Sequence, residues 1–483
     1  MRKSMRIPYV LGTLLILILL SACSNVTQPL ADIQSSDAPS SQDDYIAPSP
    51  THKLVGLFQN NDGRIEYTWD IPTAPEYTQI PASSAAPHYF SATDIQQIAV
   101  AVLGENTFYE LGPKSMRVLS KSELNDKITV LEPYLDSAKR EAIVRPYYGE
   151  SDIQRYLVEY RGLYEDAPDT YSYLPCDWVL HNEKYYDDTG TSSMSSGNAD
   201  ALEAIAFVNG NDYYVSAYIE NSSRYKRSSV AIELGDGMNP LLREIQVSEI
   251  CDTKEPTQEQ IVEAMEKSRV ILDELKDIGI FQVIDASVTT IRVGNVPRYA
   301  ILVRASQLVD GVPMLVDYAK IRSGVDDLNV NQSEISFPAS DIRFIFNADG
   351  ELIRFSMTGL MNRISSIPVS ENLLSTEELT ESAERILRAR SFLEFDESTG
   401  ESVWISAMEN NLDESRLCLQ VSINSVQYGL IRSDSTDGGA SYRMVPAVMY
   451  SGKILCVEKS TGRVIKEFTY PLLLLNPYTG NMT

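Results

Sequence analysis

The sequence predicts an α+β fold: repeated units of one helix packed on an antiparallel β-meander, preceded by a lipoprotein signal peptide and a flexible linker. Three observations carry that expectation. A basic and then apolar N-terminus closes on Leu20-Ser21-Ala22-Cys23. Residues 24–50 are Ser, Asp, Gln, Pro and Ala with almost nothing to bury. After Pro256, a helical period followed by several strand-like runs with Gly-centred turns occurs twice, roughly 115 residues apart.

At the N-terminus, Arg2, Lys3 and Arg6 precede an apolar run from Tyr9 to Leu20, the anatomy of a signal peptide. A permanent spanning helix needs roughly 17 to 25 residues, more than this run holds. Cleavage between Ala22 and Cys23 is therefore expected, with a diacylglycerol on Cys23 as the membrane partner. Its two acyl chains meet the need for two anchoring signals, each buried CH₂ contributing about 0.8 kcal/mol. The expected place is the extracytoplasmic face of the cell membrane. The expected organisation is signal peptide 1–22, lipid-anchored disordered linker 23–50, a tyrosine-rich α+β domain 51–250, and α+β repeat units 251–370 and 371–483.

The net charge of −26 becomes about −29 without residues 1–22, which carry three cations and no acid. Such a surface repels phosphate backbones, so no nucleic-acid partner is expected, and the membrane hold falls to the lipid.

Folded character begins with Lys53 to Phe58 and Arg64 to Trp69, a predicted hairpin around Asn61-Asp62-Gly63. Ser91 or Thr93 can cap a helix whose apolar face is Ile95, Ile98, Ala99 and Val102. A second helix is predicted from Ser122 to Ala142, with Leu124, Ile128, Leu131 and Leu135 on one side. Fourteen of the 27 tyrosines then fall between Tyr134 and Tyr225, and two readings compete for them. One is a recognition surface for peptide or glycan, with Tyr147, Tyr148, Tyr185 and Tyr186 as binding candidates, because tyrosine joins an apolar face to a polar tip. The favoured one is β-sheet, with Ile153 to Tyr160 as an alternating strand. Ala204 to Val208 and Tyr213 to Ile219 flank Asn209-Gly210-Asn211-Asp212 as another hairpin.

The first repeat opens with a helix from Thr257 to Ile278, with Ile261, Met265, Ile271, Leu272 and Leu275 inward and Gly279 to end it. Strands follow at Phe281 to Val293, Tyr299 to Val309, Val312 to Lys320, Ile342 to Phe346 and Leu352 to Met357, with turns at Asp310-Gly311 and Asp349-Gly350. The second opens with a helix from Leu374 to Phe392, where Ser375 and Glu378 form a capping box. Its strands are Ser402 to Met408, Arg416 to Ile423, Val426 to Ile431, Tyr442 to Tyr450, and a Lys453–Val457/Val464–Phe468 hairpin over Ser460-Thr461-Gly462.

Val309-Asp310-Gly311-Val312-Pro313, the strand pair around Asp349-Gly350, and Tyr442-Arg443-Met444-Val445-Pro446 with the hairpin at Ser460 to Ile465 resemble an uncharacterised clostridial lipoprotein family of unknown function. The pattern is also similar to YycH/YycI-like and PepSY-like α+β repeats, and it covers roughly residues 256 to 470 plus the lipobox. In that family an aromatic and an acid follow the Val-Pro pair; Val448 and Met449 stand there in this chain. The resemblance implies a Gram-positive cell surface and adjustment of a membrane partner.

The catalytic alternatives are thin. His52, His88 and His181 are the three histidines, and neither His-Glu-x-x-His nor Cys-x-x-Cys occurs, so no metal or cofactor is expected. Ser223-Arg224-Tyr225-Lys226, with Ser422-Ile423-Asn424 and Lys459-Ser460-Thr461-Gly462, imitates the motif set of penicillin-binding enzymes, but in a polar turn rather than at the start of a helix. Asp434 to Gly439 offers oxygen ligands for calcium without the alternation of an EF-hand loop. Cys418 and Cys456 are conceivable disulfide partners; buried thiols at Cys176, Cys251, Cys418 and Cys456 are the equal alternative. The expected function is a non-catalytic binding or regulatory module for an envelope protein or peptide. The alternative is an envelope hydrolase acting on peptidoglycan or peptides through Ser223 and Lys226 or His181.

Overall fold

The computed structural model of the chain describes residues 53–72, 77, 79–111, 119–144, 149–170, 173–187, 195–221, 226–235, 239–292, 297–315, 340–367, 372–390, 416–432 and 441–482. The fold is α+β, with two sheets and few helices. The lipobox and linker lie outside the described residues.

Strands β1 (Lys53–Gln59) and β2 (Ile65–Pro72) form the expected hairpin. Its turn is held by Asn60, whose Oδ1 accepts from the backbone N–H groups of Arg64 (3.0 Å) and Ile65 (2.9 Å). After β3 (Ala82–Pro87), helix α1 (Ala92–Leu103) starts at a capping box made by Ser91 and Asp94, so Ser91 rather than Thr93 is the cap. Strand β4 (Phe108–Glu110) follows.

The helix predicted from Ser122 to Ala142 is three pieces: α2 (Lys121–Leu131), a 3₁₀ turn at Glu132–Leu135, and α3 (Ser137–Ile143). Pro133 has no N–H for an i→i−4 bond, and Asp136 caps a new start by accepting from Ala138 and Lys139. The strand predicted at Ile153 to Tyr160 is instead part of helix α4 (Glu150–Tyr164). Ile153, Leu157 and Tyr160 stand at i, i+4 and i+7, one face of a helix, whereas on a strand Tyr160 would point away from the other two. Helical spacing wins because it buries all three together while Val158 stays 70 % exposed.

Strands β5 (His181–Asp187), β6 (Ser195–Val208), β7 (Asn211–Asn221) and β8 (Lys226–Leu234) form a meander. Asn209 (φ 53°) and Gly210 (φ 85°) make its two-residue turn, the left-handed pair that matches strand twist. Helix α5 (Pro240–Ile250) is capped by Asn239 with proline in its first position. Helix α6 (Gln258–Glu274), capped by Thr257 and Gln260, precedes β9 (Phe281–Arg292) and β10 (Pro297–Val309).

Asp310 and Gly311 turn β10 into the short β11 (Val312–Pro313). The remaining elements are β12 (Asp341–Phe346), β13 (Leu352–Thr358), β14 (Met361–Ile367), α7 (Thr376–Ala389), β15 (Leu417–Arg432), β16 (Tyr442–Glu458) and β17 (Val464–Leu475). Ser375 and Glu378 form the predicted capping box of α7. The two strands expected at Arg416 to Ile423 and Val426 to Ile431 are the single β15, irregular at Ile423/Ser425. The strand expected at Ser402 to Met408 lies outside the described residues.

These elements form two compact units. Among the described residues, the first is built from those within His88–Ser306 and Asp341–Leu360, and the second from those within Ser24–Pro87, Gln307–Ser340 and Met361–Thr483. The consecutive segments 51–250, 251–370 and 371–483 are thus interleaved: β8 pairs with β13, and β2 with β15. Strand edges must hydrogen-bond somewhere, and here their partners are distant in sequence.

The first unit's sheet runs β10-β12-β13-β8-β7-β6-β4, with β5 on β6 and β9 on β10. One face packs its core with α1 and α6, through Ile95, Ile98, Ala264, Leu272, Val215, Ile232, Phe344 and Phe355. The second unit's sheet runs β1-β2-β15-β16-β3-β14, with β17 on β16 and with β2 parallel to β15. Its core is aromatic: Phe58 stacks on Tyr67 at 4.8 Å, and Trp69 meets Tyr450 edge-on at 5.7 Å. Gly429 on β15 lets β11 approach closely, since a Cβ there would lie 2.4 Å from the carbonyl oxygen of Pro313.

Candidate functional site

The face of the first unit's sheet opposite its core is the best candidate, and strand register builds it. Side chains alternate, so every second residue of each strand lies on this face. One cross-strand row reads Tyr109, Ile205, Tyr214, Glu233, Arg354, Ile345, Leu302. The next reads Glu203, Ser216, Ala231, Ser356, Arg343, Arg304, and a third reads Ala201, Tyr218, Ser229, Thr358, Asp341. The middle of the second and third rows is therefore small: Ser216, Ala231, Ser356, Ser229 and Thr358, all half-buried.

The β10 end of this floor is a guanidinium–carboxylate network. Arg304 makes a bidentate contact with Asp285 on β9 at 2.7 and 2.5 Å. Arg343 pairs with Asp341 at 2.7 Å. Glu233 accepts from Arg354 at 3.1 Å and from Arg243 of α5. Burial holds the Arg354 guanidinium below its ordinary pKa, with the nearby Glu233 opposing that shift. Arg304 and Arg343 stand directly opposite each other, a like-charge cross-strand pair that costs stability unless acids offset it.

The β4 end is aromatic and acidic. Tyr109, Tyr173 and Phe207 form a triangle with ring centroids 5.3 to 5.8 Å apart. Phe207 is 41 % exposed, whereas Tyr214 beside it is buried and donates its hydroxyl to Glu203. The Tyr173 hydroxyl donates to Glu123 at the start of α2.

Of the residues singled out in the sequence, His181 stands opposite Ala201 and so extends the third row of this face. Ala22, Cys23, Tyr147 and Tyr148 lie outside the described residues. Tyr185 and Tyr186 fall on β5, opposite Gly197 and Ser196. Ser223 is also outside, and Lys226 opens β8 opposite Asn221. Ser422 and Asn424 lie in β15, while Lys459 to Gly462 is the β16–β17 hairpin tip, with Gly462 at φ 69°. His181 is exposed at the start of β5. His88 lies 3.4 Å from Asp94 and edge-on to Phe90.

Among the described residues no group of three His, Cys, Asp or Glu is placed to hold a metal ion. The conceivable Cys418–Cys456 bridge is absent, for a geometric reason. Cys418 pairs with Val457, and Cys456 with Leu419, so the two thiols project to opposite faces of the sheet. Burial raises the Cys251 thiol to about 12, which leaves it an unreactive packing group. Among the described residues no helix is long and apolar enough to cross a membrane.

Sequence reasoning missed this face because its residues come from strands spread over β4 to β13. The available signal was polar or charged residues at alternate positions of otherwise apolar runs: Arg304, Arg343 and Arg354 each sit between core residues.

No family model matches the chain, and no curated protein does either. It is similar to the crystal structure of an uncharacterized protein from Eubacterium rectale ATCC 33656, at 10% identity and a TM-score of 0.37, over 89% of this chain and 93% of that one. That likeness is too slight to carry an argument.

Proposed function

We propose that this chain is a membrane-anchored extracytoplasmic lipoprotein that binds an envelope protein or peptide and performs no chemistry. Cys23 carries a diacylglycerol after cleavage at Ala22, and residues 24–50 tether the folded body. The folded body belongs with the clostridial lipoproteins and the YycH/YycI-like or PepSY-like repeats that the sequence resembles. Its repeating element is one helix followed by an antiparallel meander, a reading supported by the element order α6 then β9–β13 and α7 then β15–β17.

The observation that carries the binding reading is the in-register floor of Ser216, Ala231 and Ser356 between Arg343 and Glu203. Small side chains let a ligand backbone lie close, and charged groups at both ends orient it.

Two measurements test the reading. Mass spectrometry of the mature N-terminus should show acylated Cys23, and Cys23→Ala should leave the membrane fraction. A photo-crosslinking side chain at Ser356 should capture an envelope component in intact cells, while one at exposed Val158 should not. Equal capture from both positions would remove the sheet face from the proposal.

A further inference from the structure

Strand β1 ends the strand order of the second unit's sheet, so among the described residues one of its edges has no strand beside it. The Asn60 N–H donates to the Ile65 carbonyl at 3.0 Å, and bonded pairs alternate along an antiparallel ladder. Phe58 and Gly56 therefore bond inward, to Tyr67 and Trp69. The N–H and C=O groups of Val55 and Leu57 are directed the other way, to the open edge. At the turn end the corresponding Gln59 carbonyl accepts from Arg388 of α7 at 3.1 Å, and Arg388 is itself paired with Glu384. That contact closes the edge at Gln59 and leaves it open toward Val55.

Native sheets guard such edges with charge, proline or a bulge. The opposite edge follows that rule: β14 is bulged between Arg363 and Ser365, and Arg363 pairs with Asp310. Strand β1 has none of these guards. From Leu54 to Gln59 it carries no charge and no proline, its register to β2 is unbroken, and Val55 and Leu57 are 73 % and 69 % exposed. An added strand would take up the outward backbone groups and cover both side chains, which is how recognition by strand addition works.

Charge decides what that strand is. Glu66 and Asp70 of β2 lie opposite Gln59 and Val55, on the face that carries the exposed side chains, and the whole chain has a net charge of −26. Pairing of two copies through β1 would bring two such bodies together against their repulsion, whereas a basic segment is attracted.

We infer that β1 is a docking edge for an extended, basic segment of a partner protein, added antiparallel, with apolar side chains opposite Leu57 and Val55 and lysine or arginine at its ends. This edge is separate from the sheet floor proposed above and uses none of its residues.

The probe is the peptide acetyl-Lys-Thr-Val-Thr-Ile-Lys-amide, titrated calorimetrically at low salt into the purified full-length chain. It should bind, and amide hydrogen exchange at Val55 and Leu57 should slow. N-methylation of the peptide's valine, whose N–H faces the Leu57 carbonyl, should weaken binding about tenfold or more. N-methylation of its second threonine, whose N–H points away from β1, should weaken it less than about threefold. Glutamate in place of both lysines should weaken it about fivefold or more. Leu57→Lys should lower affinity about tenfold with an unchanged thermal melt, because the side chain is exposed, while Leu57→Ile should bind as the wild type does.

Absence of binding at about 5 mM peptide, equal losses from the two N-methylated peptides, or equal binding of the lysine and glutamate forms overturns the inference. So does a dimer in sedimentation equilibrium that Leu57→Lys abolishes, which would make a second copy the occupant of the edge. Binding that appears only after residues 391–415 are replaced by a Gly-Ser linker also overturns it, since the chain's own segment would then be the occupant.

Discussion

The two sheets place their charged groups differently. In the first unit the core is aliphatic and phenylalanine-rich, and charge is moved to the far face, where arginines and carboxylates pair across strands. In the second unit the far face is ordinary at its β1–β2 end, where Glu66, Thr68 and Asp70 lie opposite Gln59, Leu57 and Val55, and apolar on β15 and β16, where Ile431, Ala447 and Met449 pack with Leu315. Its polar atoms are hidden in the core, where the Tyr67 hydroxyl and Trp69 Nε1 are buried without a hydrogen-bond partner among the described residues. A paired charge on a half-covered face can be offered to a ligand. An unpaired hydroxyl in a core only costs desolvation. The difference is why the proposed binding face is placed on the first unit.

Phe344→Ala should have the largest effect on this contrast. The ring is fully buried and lies 4.9 Å from Phe355, so its loss should cost about 3–5 kcal/mol in urea unfolding. A cost below about 1 kcal/mol would mean that the first unit lacks a tight core. Next in size is Glu233→Gln, which strips the shared carboxylate from Arg354 and Arg243. Roughly 3 kcal/mol is expected, at the low end for buried pairs because about a tenth of each side chain of the Glu233–Arg354 pair stays accessible. In the second unit Glu66→Gln should change stability by less than about 0.5 kcal/mol. Equal costs would erase the distinction between the faces.

Removing the α7 cap with Ser375→Ala should cost about 1 kcal/mol. Glu378 reports on the same cap: its bonds to the Ser375 backbone and hydroxyl lower its pKa. The stabilisation is therefore present above the unfolded-state pKa and is lost as pH falls through the lower folded value. In Ser375→Ala the acid limb of the stability profile should flatten. Smallest is Tyr67→Phe, within about 0.5 kcal/mol of wild type or slightly stabilising, because no partner is orphaned. A large loss would show that the hydroxyl has a partner, such as a buried water.

Alkali sharpens the contrast from another side. Burial raises the Tyr67 and Tyr450 hydroxyls well above their ordinary value and the Tyr213 hydroxyl to about 12. These groups stay protonated in the fold after the unfolded chain has lost its protons. Stability should therefore decline as pH rises above about 10, the unperturbed tyrosine value. Absorbance of tyrosinate should appear together with loss of circular dichroism; free titration of these tyrosines at pH 10 without unfolding would contradict their burial.

Local signals were readable and long-range ones were not. Ser375 with Glu378, Thr257 with Gln260, Asn209-Gly210 and Asp349-Gly350 each act within a few residues, where capping and positive φ leave a mark in the sequence. Helix α4 differs from the strand expected there because tyrosine's strand preference outweighed the i, i+4, i+7 spacing of Ile153, Leu157 and Tyr160, which packs all three with α2 and α5. The arginine row was invisible because Arg354 meets Glu233 only once β13 has paired with β8, and no short-range rule sets that pairing. Of the dense tyrosines, Tyr173 and Tyr214 fall in one cluster beside Tyr109, whereas Tyr147 and Tyr148 lie outside the described residues and Tyr185 and Tyr186 fall on β5.

That same late pairing dictates when the protein can become itself. Strand β8 ends at Leu234 and its neighbour β13 begins at Leu352, so at roughly 5–20 residues per second a ribosome makes β8 about 6 to 24 s before β13 exists. For β2 the wait is longer, because its parallel neighbour β15 begins only at Leu417. The first sheet cannot close before Thr358 has been made, nor the second before Leu475. Most of the polypeptide therefore precedes closure of the first sheet, and nearly all of it precedes closure of the second, an order that would also suit the export proposed above.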